Sequence, residues 1–252
     1  MKNIILSGCS GKMGKAITAA VNENDKCQII AGFDPYKSSA LPYSVYESPF
    51  DFTGTADVII DFSHPSATAK LLEFAVARNI AAVICTTGLS DEQINSVKDA
   101  GQKIPVFYSG NMSLGVNLLI ELSKKATAVL GNDFDIEIIE KHHNQKIDAP
   151  SGTALMIADA ISDTLEQNPK YEYDRHSKRM KRNKNEIGIH AVRGGNIVGE
   201  HEVIFAGRDE IITLSHSARS KDLFATGAIN AALFLANAAP GIYDMGDLIS
   251  AK

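Results

Sequence analysis

Residues 140–154 of this 252-residue chain bring together two histidines, Lys146 and the start of a helix. His142 and His143 carry imidazoles, which exchange protons near neutral pH. Lys146 supplies a cation. Ser151, Gly152 and Thr153 open a helical pattern, and a helix start offers unpaired backbone N–H groups to an anion. Such a stretch suits an anionic ligand with a proton donor beside it. If that ligand accepts a hydride, the resulting carbanion or enamine needs a proton, which His142 can give. The developing charge needs an electrostatic partner, which is Lys146. The anionic groups of the ligand fall to Lys146, the 151–153 amides and the Thr153 hydroxyl. Pro150 fixes the chain before the helix, and Gly152 permits close approach. Neighbouring histidines point apart on most backbones and no third ligand is suitably spaced, so no metal site is expected.

Two elements must position these groups. Residues 134–140 alternate in polarity as a strand does. Residues 154–165 place Ile157, Ile161 and Leu165 one turn apart, as a helix does. The ionisable residues between them are expected on a loop.

The amino-terminal half supplies a reaction partner. Residues 2–7 read as a buried strand, followed by Gly8, Cys9, Ser10, Gly11, Lys12 and Met13, then Gly14 and a helix to about residue 21. The spacing is GxxGxxG. It departs from GxGxxG by Ser10 at the second glycine, yet still allows a tight turn and a close backbone approach to a pyrophosphate. The next strand, 28–33, ends in Asp34, about 20 residues past the loop, where a carboxylate binds a ribose 2′-hydroxyl. That carboxylate would repel a 2′-phosphate, which favours NADH. Lys12 and Lys37 can offset the repulsion and keep NADPH open. Residues 40–55 read as loop. Strands are expected at 58–62, 81–84 and 104–108. A helix runs to about 78, and another from a capping box at Ser90 and Gln93 to about 100. His64, beside Pro65, is read as a loop residue near the nucleotide without a catalytic role. Thr86, Thr87, Gly88, Ser109, Gly110 and Asn111 fall at strand ends. The alternation implies a Rossmann-like, doubly wound parallel sheet with ligands at the carboxyl ends of its strands.

Downstream, a helix over 114–130 stops at Gly131. Residues 175–182 form a basic run read as a solvated loop. Strands at 186–192 and 197–205, joined by turn residues 193–196, are expected to form a hairpin, and 209–215 adds another strand. These make a second α+β domain with an open, mixed or mostly antiparallel sheet, suited to a substrate floor and an oligomer contact. A final apolar helix over 223–238 is expected to pack back on the nucleotide domain.

Composition narrows the class. The 44% hydrophobic content is that of a globular protein, and the net charge of −5 argues against general nucleic-acid binding. No apolar run reaches membrane-span length, residues 231–239 coming nearest, and the Met1 end lacks a signal-peptide pattern. Cys9, Cys27 and Cys85 read as free thiols in a reducing cytoplasm.

The stretch 140–154 resembles the E-x-H-H-x-x-K-x-D-A-P-S-G-T-A signature of the 4-hydroxy-tetrahydrodipicolinate (dihydrodipicolinate) reductase family of lysine and diaminopimelate biosynthesis. Residues 8–13, 85–88, 109–113, 187–200 and 243–245 also fit, so the likeness spans nearly the whole chain. It implies a cytoplasmic, NAD(P)H-dependent oxidoreductase acting on a small dicarboxylate. It further implies a homotetramer, with a nucleotide domain at 1–113 completed by 220–252, a substrate and tetramerisation domain at 114–219, and hinges between them. By this resemblance His142 is the proton donor/acceptor and Lys146 a proton donor. His143, Gly152 and Thr153 bind substrate. The nucleotide contacts are Gly8, Cys9, Ser10, Gly11, Lys12, Met13, Asp34, Cys85, Thr86, Thr87, Ser109, Gly110, Asn111 and Met112. Three departures stand out: Cys85 where the family often has Gly, Ser109-Gly110 for an Ala-rich pair, and Ser220-Lys221 after Arg219 for Ser-Arg. Two alternatives remain. Another small two-domain dehydrogenase would not be expected to join HHxxK to DAPSGT. A non-catalytic nucleotide sensor would be expected to lose His142 or Lys146.

Overall fold

Runs such as Ile4-Ile5-Leu6 and Val58-Ile59-Ile60 are apolar at every position, the pattern of strands buried on both faces. The computed structural model describes residues 1–36 and 41–251. It divides into two units, Met1–Leu114 with Asp222–Lys252, and Gly115–Lys221.

The first unit contains β1 (Lys2–Ser7), α1 (Lys12–Asn22), β2 (Cys27–Phe33), β3 (Ser44–Tyr46), β4 (Val58–Asp61), α2 (Pro65–Arg78), β5 (Ala81–Ile84), α3 (Asp91–Gly101) and β6 (Pro105–Tyr108). These strands pair in parallel in the order β6-β5-β4-β1-β2-β3. The order reverses between β1 and β4, so a crevice opens at the carboxyl ends there. Alternate residues feed two cores. Ile4, Leu6, Val58, Ile60 and Val83 face one, and Ile5, Ile59, Ala82 and Ile84 face the other.

Much later in the chain, α6 (Asp222–Leu235), β12 (Gly241–Tyr243) and α7 (Met245–Ser250) complete this unit. Ala225, Ala228, Ile229, Ala232 and Leu235 of α6 share a core with Ile4, Leu6 and Ile17, so the last long helix packs back as expected. The short β12 adds to the free edge of β6, which sequence reading missed. The 40–55 stretch is likewise more ordered than a loop. Its β3 pairs with β2, and a 3-10 turn follows at Pro49–Asp51, because Val45 and Phe52 bury apolar surface against the sheet. Lys37 lies outside the described residues.

The second unit carries α4 (Leu114–Leu130), whose first residue belongs to the other unit, and β7 (Asp135–His142). It continues with α5 (Gly152–Ser162), β8 (Lys170–Glu172), β9 (Glu186–Arg193), β10 (Gly199–Ala206) and β11 (Ile211–Ala218). Gly131 stops α4 with φ +56°, a conformation that costs glycine little. The sheet order is β11-β10-β7-β9-β8, with β10 antiparallel and β9 parallel to β7.

The expected hairpin of β9 with β10 is therefore wrong: β7 lies between them. Turn residues 194–196 mark where the chain reverses, but not which strand receives it. The connection must cross the carboxyl end of β7, and it is bonded there, Gly194 N–H to the His142 carbonyl (2.9 Å) and Asn144 N–H to the Gly195 carbonyl (3.2 Å). One sheet face, carrying Ile136, Ile138, Val203, Phe205, Ile187 and Ile189, packs against Ile157, Ala158 and Ile161 of α5 and Val116 and Leu119 of α4.

The basic run is not simply solvated. Arg182 bonds Glu137, Asp135 and the carbonyls of Ile136 and Glu186, Arg175 pairs with Glu186, and Lys178 pairs with Glu172. Acidic residues on β7, β8 and β9 give it partners that the linear sequence does not show.

Candidate functional site

His142, expected on a loop, is instead the last residue of β7. Burial along β7 alternates through Ile136, Ile138, Glu140 and His142, so the strand's inward face runs on into ionisable residues. His143 takes the opposite, half-buried side and starts the loop. The two histidines thus point apart, as expected from a pleated backbone.

Glu140 is fully buried, and four donors converge on its carboxylate. Oε2 accepts from His142 Nδ1 (2.6 Å) and Arg193 Nη1 (2.8 Å). Oε1 accepts from Arg193 Nη2 (2.8 Å) and the Ser151 N–H (3.0 Å). Each oxygen thereby uses both of its acceptor positions. Burial pushes the carboxyl's pKa up. The hydrogen bonds from Arg193, His142 and Ser151 outweigh that, and the group titrates below the usual carboxylate range. The same pairing raises Arg193. Arg193 Nη2 also donates to the Asp148 carbonyl, tying β9 to the loop.

His201 of β10 lies edge-on to His142, with ring centroids 5.2 Å apart. Its Nε2 shares a 3.1 Å hydrogen bond with Ser151 Oγ, which also caps α5 by accepting from Ala154 N–H. Burial, with a smaller contribution from the neighbouring His142, pushes His201 down to about 4, so it is neutral at physiological pH. Lys146, mostly buried, forms a 2.8 Å ion pair with exposed Asp148. Gly152 is the first residue of α5, and a side chain there would meet nothing within 4 Å, so ligand approach to this backbone is sterically open. Thr153 follows it, half-buried.

In the first unit, a cavity of about 720 Å³ lies over the carboxyl ends of β1, β2 and β4. Gly8, Ser10, Gly11 and Asp34 line it together with Phe33, Tyr36, Phe62, His64 and Lys70. Gly8 has φ +76°, and a Cβ there would lie 2.6 Å from the Phe62 carbonyl oxygen; only glycine fits. Asp34 is nearly buried and accepts from Ser10 N–H (3.0 Å) and Tyr36 N–H (2.9 Å), bracing the glycine turn. His64 caps α2 by accepting from Ser66 N–H.

Other candidates are placed differently. Cys9 and Met112 are buried in the core and Met13 packs against it, so a ligand would meet their backbone and not their side chains. Lys12 is exposed and does not line the cavity. Cys85, Thr86 and Thr87 follow β5, while Ser109, Gly110, Asn111 and Met112 follow β6. Both groups occupy the same sheet edge outside this cavity. Cys85 is buried and its thiol is pushed well up by burial. Thr86 Oγ1 donates to Asp61 Oδ2 (2.7 Å), and Asp61 Oδ1 accepts from Ser63 N–H (3.1 Å), which joins the ends of β4 and β5.

Sequence reading assigned no role to Glu140, Arg193, His201 or Asp61. For Glu140 a signal existed: it lies two residues before His142 on an alternating strand and shares its face. Arg193 is 53 residues from Glu140, and nothing local reveals that pairing.

Comparison with known proteins decides the family. A model described as "Dihydrodipicolinate reductase, N-terminus" matches residues 2–112, and one described as "Dihydrodipicolinate reductase, C-terminus" matches residues 115–249. The chain belongs to the dihydrodipicolinate reductase family. The 4-hydroxy-tetrahydrodipicolinate reductase of Caldanaerobacter subterraneus subsp. tengcongensis is 52% identical over 99% of this chain and 98% of its own length. That of Clostridium novyi is 48% identical over the whole of both chains. Among solved structures, a dipicolinate-bound dihydrodipicolinate reductase from Paenisporosarcina sp. TG-14 superposes with TM-score 0.82 at 24% identity, covering 97% of each chain. A myo-inositol dehydrogenase from Corynebacterium glutamicum reaches TM-score 0.60 at 16% identity, covering 100% of this chain and 93% of its own, a likeness of fold alone.

Proposed function

We propose that this chain reduces 4-hydroxy-2,3,4,5-tetrahydrodipicolinate to tetrahydrodipicolinate in lysine and diaminopimelate biosynthesis, using NAD(P)H. One hydride and one proton enter and one water leaves. The observation that carries the reading is the buried His142–Glu140–Arg193 unit at the root of the loop that bears Lys146 and ends at the α5 amino terminus.

The nucleotide supplies the hydride when bound. The uncapped amino terminus of α1, at Lys12 and Met13, suits its pyrophosphate beside the glycine turn of residues 8–11, and the cavity has room for an adenosine, whose ribose Asp34 would engage. Cys85, Thr86 and Thr87, with Ser109, Gly110, Asn111 and Met112, border the nicotinamide end. His142 donates the proton from Nε2, since Nδ1 is committed to Glu140. Lys146 faces the negative charge of the substrate and exchanges its Asp148 partner for a carboxylate. His143, Gly152 and Thr153 hold the dicarboxylate, with the α5 amino terminus favouring an anion. The nearly buried Asp34 carboxylate supports NADH over NADPH.

Assembly belongs to the same proposal: a cytoplasmic homotetramer built through residues 114–219, with 1–113 and 220–252 as the nucleotide domain. Ile211 (67% exposed) and Val192 (44% exposed) on the second sheet supply apolar surface for self-association. No described helix is long and apolar enough to cross a membrane.

Steady-state kinetics with both nucleotides test the reading, with the substrate generated in place by the preceding aldolase-type synthase. Substrate-dependent loss of the reduced-nicotinamide absorbance, faster with NADH at subsaturating nucleotide, is the expected result. No turnover with either nucleotide overturns the function, and a strong NADPH preference overturns the role of Asp34.

A further inference from the structure

We propose that Glu140 is a positioning residue for His142, fixing the imidazole in the tautomer that carries hydrogen on Nδ1 and so making Nε2 the nitrogen that exchanges the proton. The inference rests on the reading of His142 as proton donor and extends it to a residue with no assigned role.

The geometry carries the argument. A carboxylate only accepts hydrogen bonds, so the 2.6 Å contact between His142 Nδ1 and Glu140 Oε2 requires the hydrogen on Nδ1. Glu140 cannot turn away, because Arg193 grips both oxygens and Ser151 N–H holds Oε1. These donors come from three places in the chain: the strand itself, β9 and the start of α5. On the other side of the ring, a Cβ on Gly199 would lie 3.1 Å from Nε2, so the absence of a side chain there leaves this nitrogen uncrowded. His201 approaches the ring edge-on from β10 and makes its own bond to Ser151, not to His142. The charged and titratable groups around the ring are therefore Glu140, Arg193 behind it, and His201, with Lys146 on the adjoining loop.

The arrangement makes Glu140 and Ser151 a joint support. The residue that orients the proton donor also receives the N–H of the α5 cap, and the cap's hydroxyl receives the N–H of Ala154. The proton donor and the proposed carboxylate-binding helix end are thus set by one buried carboxylate. A positioning role predicts that removing its charge harms turnover while leaving nucleotide binding intact, because the nucleotide contacts lie in the other unit.

Two measurements test this on the full-length protein. In the ligand-free wild type, nitrogen-15 NMR of labelled histidine should show neutral His142 protonated on Nδ1. A neutral ring protonated on Nε2 overturns the proposal without any variant being made. Glu140→Gln keeps the size of the side chain but removes its charge. It should lower kcat roughly 10²- to 10⁴-fold, with KM for NADH within about threefold of wild type, and mix the two tautomers. Glu140→Asp should recover part of kcat. A folded Glu140→Gln protein with wild-type kcat and an unchanged tautomer overturns the assignment. If the wild type turns over no dicarboxylate while the tautomer still responds to Glu140→Gln, the function fails and the positioning role stands.

Discussion

His201 offers a quantitative test of the second unit. The residue is 5% exposed, and its pKa falls from an ordinary 6.5 to about 4 on folding, mainly through burial. The native state therefore binds fewer protons than the unfolded chain between those values. The stabilisation from a neutral His201 is complete above 6.5 and is lost as pH falls toward 4. At about pH 4.5 the difference in proton binding is worth roughly 2–3 kcal/mol, from about 1.4 kcal/mol per pH unit. At about pH 7.5 it is worth almost nothing. Substituting His201→Gln removes the titrating group and keeps a hydrogen-bonding partner for Ser151. Urea unfolding of both proteins at the two pH values, followed by circular dichroism, isolates the effect, since acidic groups common to both cancel. Wild type should lose roughly 2–3 kcal/mol more than the variant on acidification. Equal losses would refute the claim that His201 is buried in its neutral form.

Other outcomes follow from the site and the glycine turn. His142→Gln should lower kcat by roughly 10²- to 10⁴-fold while NADH affinity, measured by fluorescence titration, stays near wild type; unchanged turnover removes His142 from its role. Gly14→Ala places a Cβ 2.5 Å from the carbonyl oxygens of Gly8 and Cys9. It should destabilise the first unit by roughly 1–3 kcal/mol, read as a lowered Tm and weakened nucleotide binding, and an unchanged Tm would show that the α1 contact relaxes freely.

Local patterns carried the parallel sheet well. β1, β4 and β5 each carry an unbroken apolar run, Ile4 to Leu6, Val58 to Ile60 and Ala81 to Ile84, and each is closed by a polar or glycine-rich turn, so period and punctuation agreed. The capping box of α3 and the Gly131 stop were legible for the same reason: their chemistry lies within a few residues. Legibility failed where partners are distant. The pairing of β9 and β10 with β7 is a choice among strands that all alternate alike. The basic run finds its carboxylates only after β7, β8 and β9 come together. At the site, 140–154 drew attention to His142 and Lys146 through their residue types. It could not show that the strand extends through His142, because polar residues on an inward face look like a loop until Glu140 has its Arg193.

The split of the first unit between the two ends of the chain bears on how the protein is made. Residues 115–221 form a contiguous unit and are fully synthesised before α6 begins. The second sheet can therefore close its core on the ribosome while the amino-terminal sheet waits. Until residues 222–235 emerge, Ile4, Leu6, Ile17 and Val83 lack the alanine-rich helix that covers them, and β6 lacks β12 at its edge. The first unit therefore completes its core and its sheet edge only after more than a hundred further residues have been translated.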